Sequence, residues 1–316
     1  MADTERVLIR FRDKTTGKLQ FEIIEGTQAE IEATLLEYLS SKDAHSLMVL
    51  GYSNNETQLV GADGDALTTV NGKLATTSKP YLYDIAAGNL EGREGVIIFG
   101  HNTNVDTSFE VVGNISAAYT WLDSAEVLQV VSSDTDDDGS PAGNGARTVT
   151  IEGLDANYEE VSITVTMNGT TNVPTTEQSF LRINRVYVAT AGTTGTNEGV
   201  ISIKNNAATT TLQTIQVGEG QAHCAVYTVP AGKTLYVTQG WCTESSSKGS
   251  AIHFFVKPYG GAWRSSWIIN VFDSTYRHPI LLPFIVPEKS DVMIVAKAIQ
   301  AGAKVTAGFE GWIEDT

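Results

Sequence analysis

The chain has 316 residues, 41% of them hydrophobic, and a formal net charge of −16. This acidity argues against sequence-independent nucleic-acid binding, which depends on Lys and Arg to neutralise phosphates. No apolar run approaches the roughly 18 residues of a membrane-spanning helix, and the start MADTERVLIRF lacks the segments of a signal peptide, so we expect synthesis in a cytoplasm. We therefore expect neither nucleic acid nor membrane as a partner.

Residues 1–54 predict a small β-β-α-β unit. Strand patterns at 6–12 and 19–25 precede the segment Thr27-Gln28-Ala29-Glu30, which has the sequence of a helix capping box. Apolar residues then fall on one helical stripe, and these are Ile31, Leu35, Leu36 and Leu39. The sequence thus predicts one substantial helix, near Gln28 to Ser41, followed by a third strand at 46–52.

Residues 55–79 are dominated by Thr, Gly, Asp and Asn. Such a composition can bury little apolar surface, so its gain on folding does not offset the loss of chain entropy. We predict a polar linker or arm here that is mobile or is ordered by a partner.

From Tyr81 onward the sequence reads as β. Val- and Thr-rich runs alternate with turn residues, as in stacked antiparallel strands. We predict a mainly β protein with antiparallel β-sandwich domains at 80–207 and 208–316, the second of them jelly-roll-like with roughly eight strands. The segment Pro230-Ala231-Gly232-Lys233 predicts a tight turn.

The chain has two cysteines, Cys224 and Cys242, too few for a disulfide framework. If the strands on either side of the turn at 230–233 pair as a hairpin, the two thiols lie out of register and on opposite faces. A disulfide requires close Cα atoms and facing side chains. We therefore expect both cysteines to be reduced and partly buried.

The stretch Asp134-Thr135-Asp136-Asp137-Asp138-Gly139 matches the opening of a calcium loop. The alternating carboxylates of Asp134, Asp136 and Asp138 are therefore candidate Ca²⁺ ligands, because hard oxygen ligands suit this cation. However, Gly145 stands where an EF-hand has its bidentate Glu. We favour a solvated acidic loop, keep a weak calcium site as the alternative, and expect no other cofactor.

Aromatic residues are dense late in the chain, and among them Trp263, Trp267 and Trp312 are our candidates for a core or subunit-interface role. Trp263 and Trp267 are an even number of residues apart, so on one strand they share a face. A sugar-binding platform is the alternative interpretation. No G-x-S-x-G nucleophile motif is present, and Gly232-Lys233-Thr234 lacks the first glycine of a P-loop, so we expect no enzyme.

Several segments of the middle and C-terminal regions together resemble a known group of proteins. The segments are Asp84-Ile85-Ala86-Ala87-Gly88, Phe99-Gly100-His101-Asn102 with Asp106, Gly145-Ala146-Arg147-Thr148-Val149, Glu152-Gly153-Leu154-Asp155-Ala156, residues 181–188, Pro230-Ala231-Gly232-Lys233-Thr234, Pro287-Glu288-Lys289-Ser290-Asp291 and Ala307-Gly308-Phe309. Over about residues 80–312 the chain resembles uncharacterised virion structural proteins of tailed bacteriophages, especially those abundant in aquatic viruses. The resemblance implies residence in the virion.

These observations lead to one functional expectation and two alternatives. We expect an accessory capsid protein, of the decoration or cement type, that self-associates and docks on a shell built by a major capsid protein. The expected assembly is a homo-oligomer, with a trimer as its state. The first alternative is a tail or fibre component that contacts the host surface, and the second is a carbohydrate-binding module.

Overall fold

The computed structural model describes residues 5–12, 19–27, 30–31, 33, 48–52, 59–60, 66–67, 69–70, 73–74, 81–115 and 118–316. The chain divides into two compact units, Met1–Lys79 and Pro80–Thr316. This division coincides with the end of the predicted arm.

The first unit contains a three-stranded antiparallel sheet in the order β2-β1-β3. Its strands are β1 (Glu5–Arg12), β2 (Leu19–Gly26) and β3 (Met48–Tyr52). Two short antiparallel pairs follow within the predicted arm, formed by β4 (Leu59–Val60) with β5 (Ala66–Leu67) and by β6 (Thr69–Val70) with β7 (Lys73–Leu74).

The predicted capping box is present in part. The Glu30 carboxylate accepts hydrogen bonds from the N–H and the hydroxyl of Thr27, both at 2.9 Å. Ile31 N–H donates to the Thr27 carbonyl at 3.0 Å, which begins a helix. Residues 30, 31 and 33 are helical, and the predicted continuation to Ser41 lies outside the described residues.

The second unit opens with a short helix, α1 (Tyr81–Ala86). The prediction that everything from Tyr81 onward is β is therefore wrong at this point. The helix ends because Gly88 adopts a left-handed φ of +70°, a conformation that glycine adopts without strain. Asn89 then donates a side-chain hydrogen bond back to Asp84 at 3.2 Å.

Antiparallel strands form the rest of the second unit, in two sandwiches that we call the inserted sandwich and the main sandwich. The inserted sandwich contains β10 (Glu126–Ser132), β11 (Ala146–Leu154), β12 (Glu160–Thr166), β13 (Val173–Phe180), β14 (Arg182–Ala191), β15 (Ile201–Lys204) and β16 (Thr211–Ile215). The main sandwich contains β8 (Arg93–Val105), β9 (Glu110–Val111), β17 (Val226–Thr228), β18 (Lys233–Glu244), β19 (Ser250–Lys257), β20 (Arg264–Val271), β21 (Ser274–Val286), β22 (Asp291–Ala298) and β23 (Ala303–Asp315).

The inserted sandwich pairs a sheet of order β13-β10-β15-β16 with a sheet of order β12-β11-β14. Alternate side chains from both sheets point inward, as the period of two along a strand requires. They form one core, whose largest members include Leu128, Ile151, Phe180, Ile201 and Ile203.

The main sandwich pairs a sheet of order β21-β18-β23-β8 with a sheet of order β17-β22-β19-β20. If the eight longer strands β8 and β17–β23 are numbered one to eight along the chain, the two sheets have the orders 6-3-8-1 and 2-7-4-5. The core between them contains Val237, Phe254, Val292 and Phe309. The predicted mainly β, antiparallel sandwich fold is confirmed.

The inserted sandwich leaves and rejoins the main sandwich at one place. Ala225 N–H donates to the Val112 carbonyl at 2.9 Å, and Gly113 forms a bridge with Cys224. The segment between them is therefore a domain insertion whose two ends lie side by side, the geometry that lets one domain interrupt another. The predicted boundary at 207/208 falls instead between β15 and β16, two strands that pair with each other.

The turn at Pro230 is confirmed, since Lys233 N–H donates to the Pro230 carbonyl at 3.4 Å and Gly232 has a φ of +69°. The hairpin considered around it does not form. β17 pairs with β22, while β18 pairs with β21 and β23. The turn thus carries the chain from one sheet to the other.

Candidate functional surfaces

A buried ion pair joins the two sandwiches. Arg182, at the start of β14, donates to both carboxylate oxygens of Asp291 at 2.8 and 3.1 Å. The same guanidinium donates to the carbonyls of Leu122 and Leu181, and Thr228 Oγ1 donates to Asp291 at 2.7 Å. Such a bidentate pair has a fixed geometry, so it sets the orientation of the insertion on the main sandwich.

Further contacts extend this junction around the ion pair. Asn184 exchanges two hydrogen bonds with the backbone of Thr228, at 2.9 and 3.0 Å. The Arg182 guanidinium lies 5.1 Å from the ring centroid of Trp121 and 5.8 Å from that of Tyr158, within the range of cation–π attraction. The junction is polar, aromatic and well satisfied, as expected of a fixed interdomain contact.

The acidic loop is built around Asp137, which the sequence did not single out. Its buried carboxylate accepts hydrogen bonds from Ala146 N–H, Glu198 N–H and Gly199 N–H at 2.7 to 2.9 Å. It also accepts one from the Ser132 hydroxyl at 2.5 Å. Because an unpaired buried carboxylate is costly, these four bonds explain why an acidic residue is required here.

Two of the three candidate calcium ligands, Asp134 and Asp138, accept backbone hydrogen bonds within the loop. Asp134 and Asp138 accept hydrogen bonds from the N–H groups of Asp136 and Ser140 at 2.9 and 2.7 Å, which stabilises local turns. Within the described ranges, no group of three or more His, Cys, Asp or Glu side chains is placed to hold a metal ion. The structure therefore does not bring Asp134, Asp136 and Asp138 together as ligands.

Two of the three singled-out tryptophans pack against the main sandwich. Trp267 stacks on Phe254 with ring centroids 3.8 Å apart and lies against the core. Trp312 is buried and stacks on Tyr236 at 5.1 Å. Both therefore stabilise the fold within one copy of the chain.

Trp263 lies on the opposite face from Trp267, so the prediction of a shared face is wrong. The register of β19 and β20 shifts between Phe254 and Phe255, and this bulge breaks the alternation of side chains. Trp263 instead contacts Trp121 at 5.3 Å, in a pocket of about 270 Å³. The pocket is also lined by Phe109, Glu110, Tyr119, Phe255 and Met293.

The polar groups of this aromatic pocket are few. Glu110 accepts a hydrogen bond from Asp106 N–H at 2.5 Å, and burial raises the pKa of its carboxyl group above the ordinary value. The Lys257 ammonium lies 6.0 Å from the Trp263 ring centroid. An aromatic wall beside one carboxylate can hold the apolar face of a small polar ligand.

A larger cleft, of about 640 Å³, lies between β8 and the insertion. Three glutamates line it, Glu94, Glu152 and Glu160. Glu152 lies 3.9 Å from the Arg185 guanidinium, and Glu160 lies 3.5 Å from the Lys233 ammonium. The cleft also includes Arg185 in its lining, so two of its three carboxylates have a cationic neighbour.

The thiols are free and buried, which agrees with the expectation of reduced cysteines. Burial raises the pKa of Cys224 to about 12 and that of Cys242 to about 11. Nucleophilic cysteines need a lowered pKa, so neither thiol is activated in this structure.

Among the described residues, no helix is long and apolar enough to cross a membrane.

Sequence reasoning also missed Glu244, a buried carboxylate at the end of β18. It accepts hydrogen bonds from the N–H groups of Ser246 and Asp273 at 2.8 and 2.7 Å, and from the Ser246 hydroxyl. Although burial opposes ionisation, these donors lower its pKa to about 2. Glu244 therefore ties the loop after β18 to the turn between β20 and β21.

No model of a known protein family matches the chain, and no curated protein sequence matches it. Solved structures of infectious bursal disease virus show a weak similarity. The Gt strain structure is 12% identical, with a TM-score of 0.19, and the alignment covers 74% of this chain and 77% of the other. The VP2 subviral particle is 11% identical, with a TM-score of 0.19 and coverage of 75% and 78%. TM-scores this low do not establish a shared fold.

Proposed function

We propose that the chain is a non-enzymatic structural protein of a virus particle. The observation that carries this proposal is the strand order 6-3-8-1 and 2-7-4-5 in the main sandwich. We interpret this order as two Greek keys, a jelly roll. This arrangement occurs in viral capsid and lectin domains, and both classes act through surfaces. Because one fold hosts many functions, the polar groups inside this chain must support the proposal as well.

Those groups favour a structural role over chemistry. The buried carboxylates Asp137 and Glu244 are satisfied by backbone donors, and the buried pair Arg182–Asp291 fixes the junction between the sandwiches. The described thiols have raised pKa values. The two carboxylates and the ion pair stabilise a rigid shape, which is what a repeating structural element requires.

The finer proposal is an accessory capsid protein of a tailed bacteriophage, bound as a decoration or cement on a shell of major capsid protein and resident in the virion. The resemblance over residues 80–312 supports it. The alternative is a tail or fibre component. Imaging of particles that carry a labelled copy of the chain distinguishes them: we expect label over the whole shell, and label confined to the tail would overturn the capsid assignment.

A second candidate function is carbohydrate binding, favoured by the aromatic pocket around Trp121 and Trp263. Rings of this kind stack on the apolar face of a sugar, and a carboxylate such as Glu110 accepts hydrogen bonds from its hydroxyls. A glycan array followed by titration of any hit tests this function. If the chain binds carbohydrate in this pocket, Trp263→Ala abolishes glycan binding. Tyr83 is an exposed aromatic residue outside the pocket, so Tyr83→Ala is the control that leaves glycan binding unchanged. An array without hits contradicts it.

A further inference from the structure

The aromatic pocket at Trp263 lies on the outer face of the sheet β17-β22-β19-β20, to which β9 adds a short strand. Its floor is apolar, with Phe255 opposite Met293 and Val295 opposite Val111 in the register of these strands. The next residues along β19 and β22 belong to the core of the main sandwich. Because side chains alternate along a strand, the floor residues of these two strands face away from that core.

Three separate segments supply the walls of the pocket. Phe109 and Glu110 come from the start of β9, Tyr119 and Trp121 from the first segment of the insertion, and Trp263 from the turn between β19 and β20. The pocket therefore exists only where the insertion meets the main sandwich.

The wall at Trp121 is fixed by the junction between the two sandwiches. Arg182, which is paired with Asp291, donates a hydrogen bond to the Leu122 carbonyl at 2.8 Å. Its guanidinium also lies 5.1 Å from the Trp121 ring centroid. A wall held in this way is preformed, so a ligand does not have to order it on binding.

The charge inside the pocket is negative. Among the described residues that line it, only Glu110 is charged. The Glu110 side chain is partly buried, and within the described part of the chain no Lys, Arg or His forms an ion pair with it. A partly buried carboxylate without a cationic partner favours a ligand that brings a positive charge.

The rest of the lining distinguishes between kinds of polar ligand. A sugar presents hydroxyl groups along its edges, and a hydroxyl that is buried without a partner costs free energy. A methylated ammonium group has the opposite character, because its surface is apolar and it has no N–H to donate. Aromatic rings attract such a cation, and cages of aromatic side chains recognise choline and methylated lysine. An aromatic lining with one carboxylate therefore matches a methylated ammonium group better than a neutral sugar.

Two lysines flank the pocket without lining it. The Lys257 ammonium lies 6.0 Å from the Trp263 ring centroid, and the Lys297 ammonium lies 5.7 Å from that of Phe109. In the register of β19 and β22, the two lysines stand at opposite ends of the floor. Their charge disfavours a bare cation and suits a ligand that carries an anionic group next to its ammonium group.

We propose that the aromatic pocket binds a phosphocholine group. The trimethylated ammonium lies among the aromatic rings beside Glu110, and the phosphate lies at the rim near Lys257. This inference goes beyond the structural role proposed above and does not depend on it. It concerns the same pocket as the carbohydrate candidate and assigns a zwitterionic ligand to that pocket in place of a neutral one.

Isothermal titration calorimetry of the purified full chain with free phosphocholine tests the site. We expect saturable binding that is tighter than the binding of choline. The neutral isostere of choline, in which carbon replaces nitrogen, should bind at least about tenfold more weakly than choline, because it lacks the charge that the rings and the carboxylate attract. This comparison uses the wild type alone, so it decides the question even if a pocket variant fails to fold.

Charge variants assign the two ends of the ligand. Glu110→Gln keeps the shape of the side chain and should raise the dissociation constant of choline at least about fivefold. Glu177→Gln is the matched control, since it removes the same charge from an exposed position on β13, and it should leave that constant unchanged. Lys257→Gln should remove the preference for phosphocholine over choline. Thermal unfolding of each variant shows whether its fold is intact.

Phosphatidylcholine vesicles distinguish the sources of the group. Co-sedimentation that free phosphocholine reverses identifies a lipid head group, whereas binding of free phosphocholine without vesicle binding identifies a soluble or glycan-linked group. No binding of phosphocholine, equal binding of choline and its neutral isostere, or an equal loss in Glu110→Gln and Glu177→Gln overturns the inference. A neutral glycan that binds where phosphocholine does not also overturns it and leaves the carbohydrate candidate standing. Phosphocholine binding by a chain that ignores shells contradicts the proposed structural role and leaves this inference standing.

Discussion

The junction between the sandwiches gives the sharpest stability prediction. Arg182→Ala removes the guanidinium that donates two hydrogen bonds to Asp291 and two to backbone carbonyls. Asp291 then keeps only the Thr228 hydroxyl as a donor from this group. A buried charge that loses its partner pays most of its desolvation cost without compensation.

The expected loss is about 3–5 kcal/mol in the free energy of unfolding, the usual cost of breaking a buried ion pair from one side. For a unit of this size, 1 kcal/mol lowers the Tm by about 2–4 °C, so we expect a decrease of about 6–20 °C. The double variant Arg182→Met with Asp291→Leu should lose less, because an apolar pair leaves no charge buried.

Arg185→Ala is the matched control, from the same strand. Arg185 lies 3.9 Å from Glu152, and both side chains are well exposed, so its removal should cost no more than about 1 kcal/mol. Differential scanning calorimetry of the four proteins in one buffer measures the effect. If Arg182→Ala unfolds within 2–4 °C of the wild type, or no lower than Arg185→Ala, the junction does not hold the two sandwiches as argued.

Three further outcomes are expected. The folded-state pKa of Glu244 lies near 2, below its ordinary value of 4.5, so the ionised carboxylate stabilises the fold fully above about pH 4.5 and this stabilisation is lost as the pH falls towards 2. The Tm difference between the wild type and Glu244→Gln should therefore shrink over that interval, and a constant difference would contradict the assignment. Asp137→Asn should cost about 3 kcal/mol or more, whereas Asp136→Asn, at an exposed position, and EDTA should change the Tm little; a calcium-dependent rise in Tm would instead support the weak calcium site. Limited proteolysis should cut first within residues 55–79, and early cleavage elsewhere would argue against the arm.

The strands were predictable because their signals are local. Alternating Val and Thr runs predict most of the strands, and the Pro and Gly of residues 230–233 predict a turn. The pairing was not predictable. β8 pairs with β23, which lies at the far end of the chain. The sequence of neither strand indicates this pairing, so the sequence does not predict the domain insertion. β13 has no clear strand signal, because Val173–Phe180 is mostly polar and contains a proline.

The functional residues show the same contrast between local sequence signals and contacts made by distant segments. Asp134, Asp136 and Asp138 drew attention through spacing, yet the loop depends on Asp137, whose four donors come from three separate segments. Arg182 and Asp291 are 109 residues apart, and no local pattern marks either one. Trp263 was separated from Trp267 by a bulge. Contacts between distant segments determine these roles, and a single sequence does not reveal them.

The most direct test of the central claim is a binding titration of the purified chain on phage shells that lack it. Cryo-electron microscopy of the saturated shells then locates the bound copies. The account predicts saturable binding at symmetry-related positions, with density for both sandwiches at each of them. A chain that stays in solution with shells but binds host cells or glycans would contradict the account.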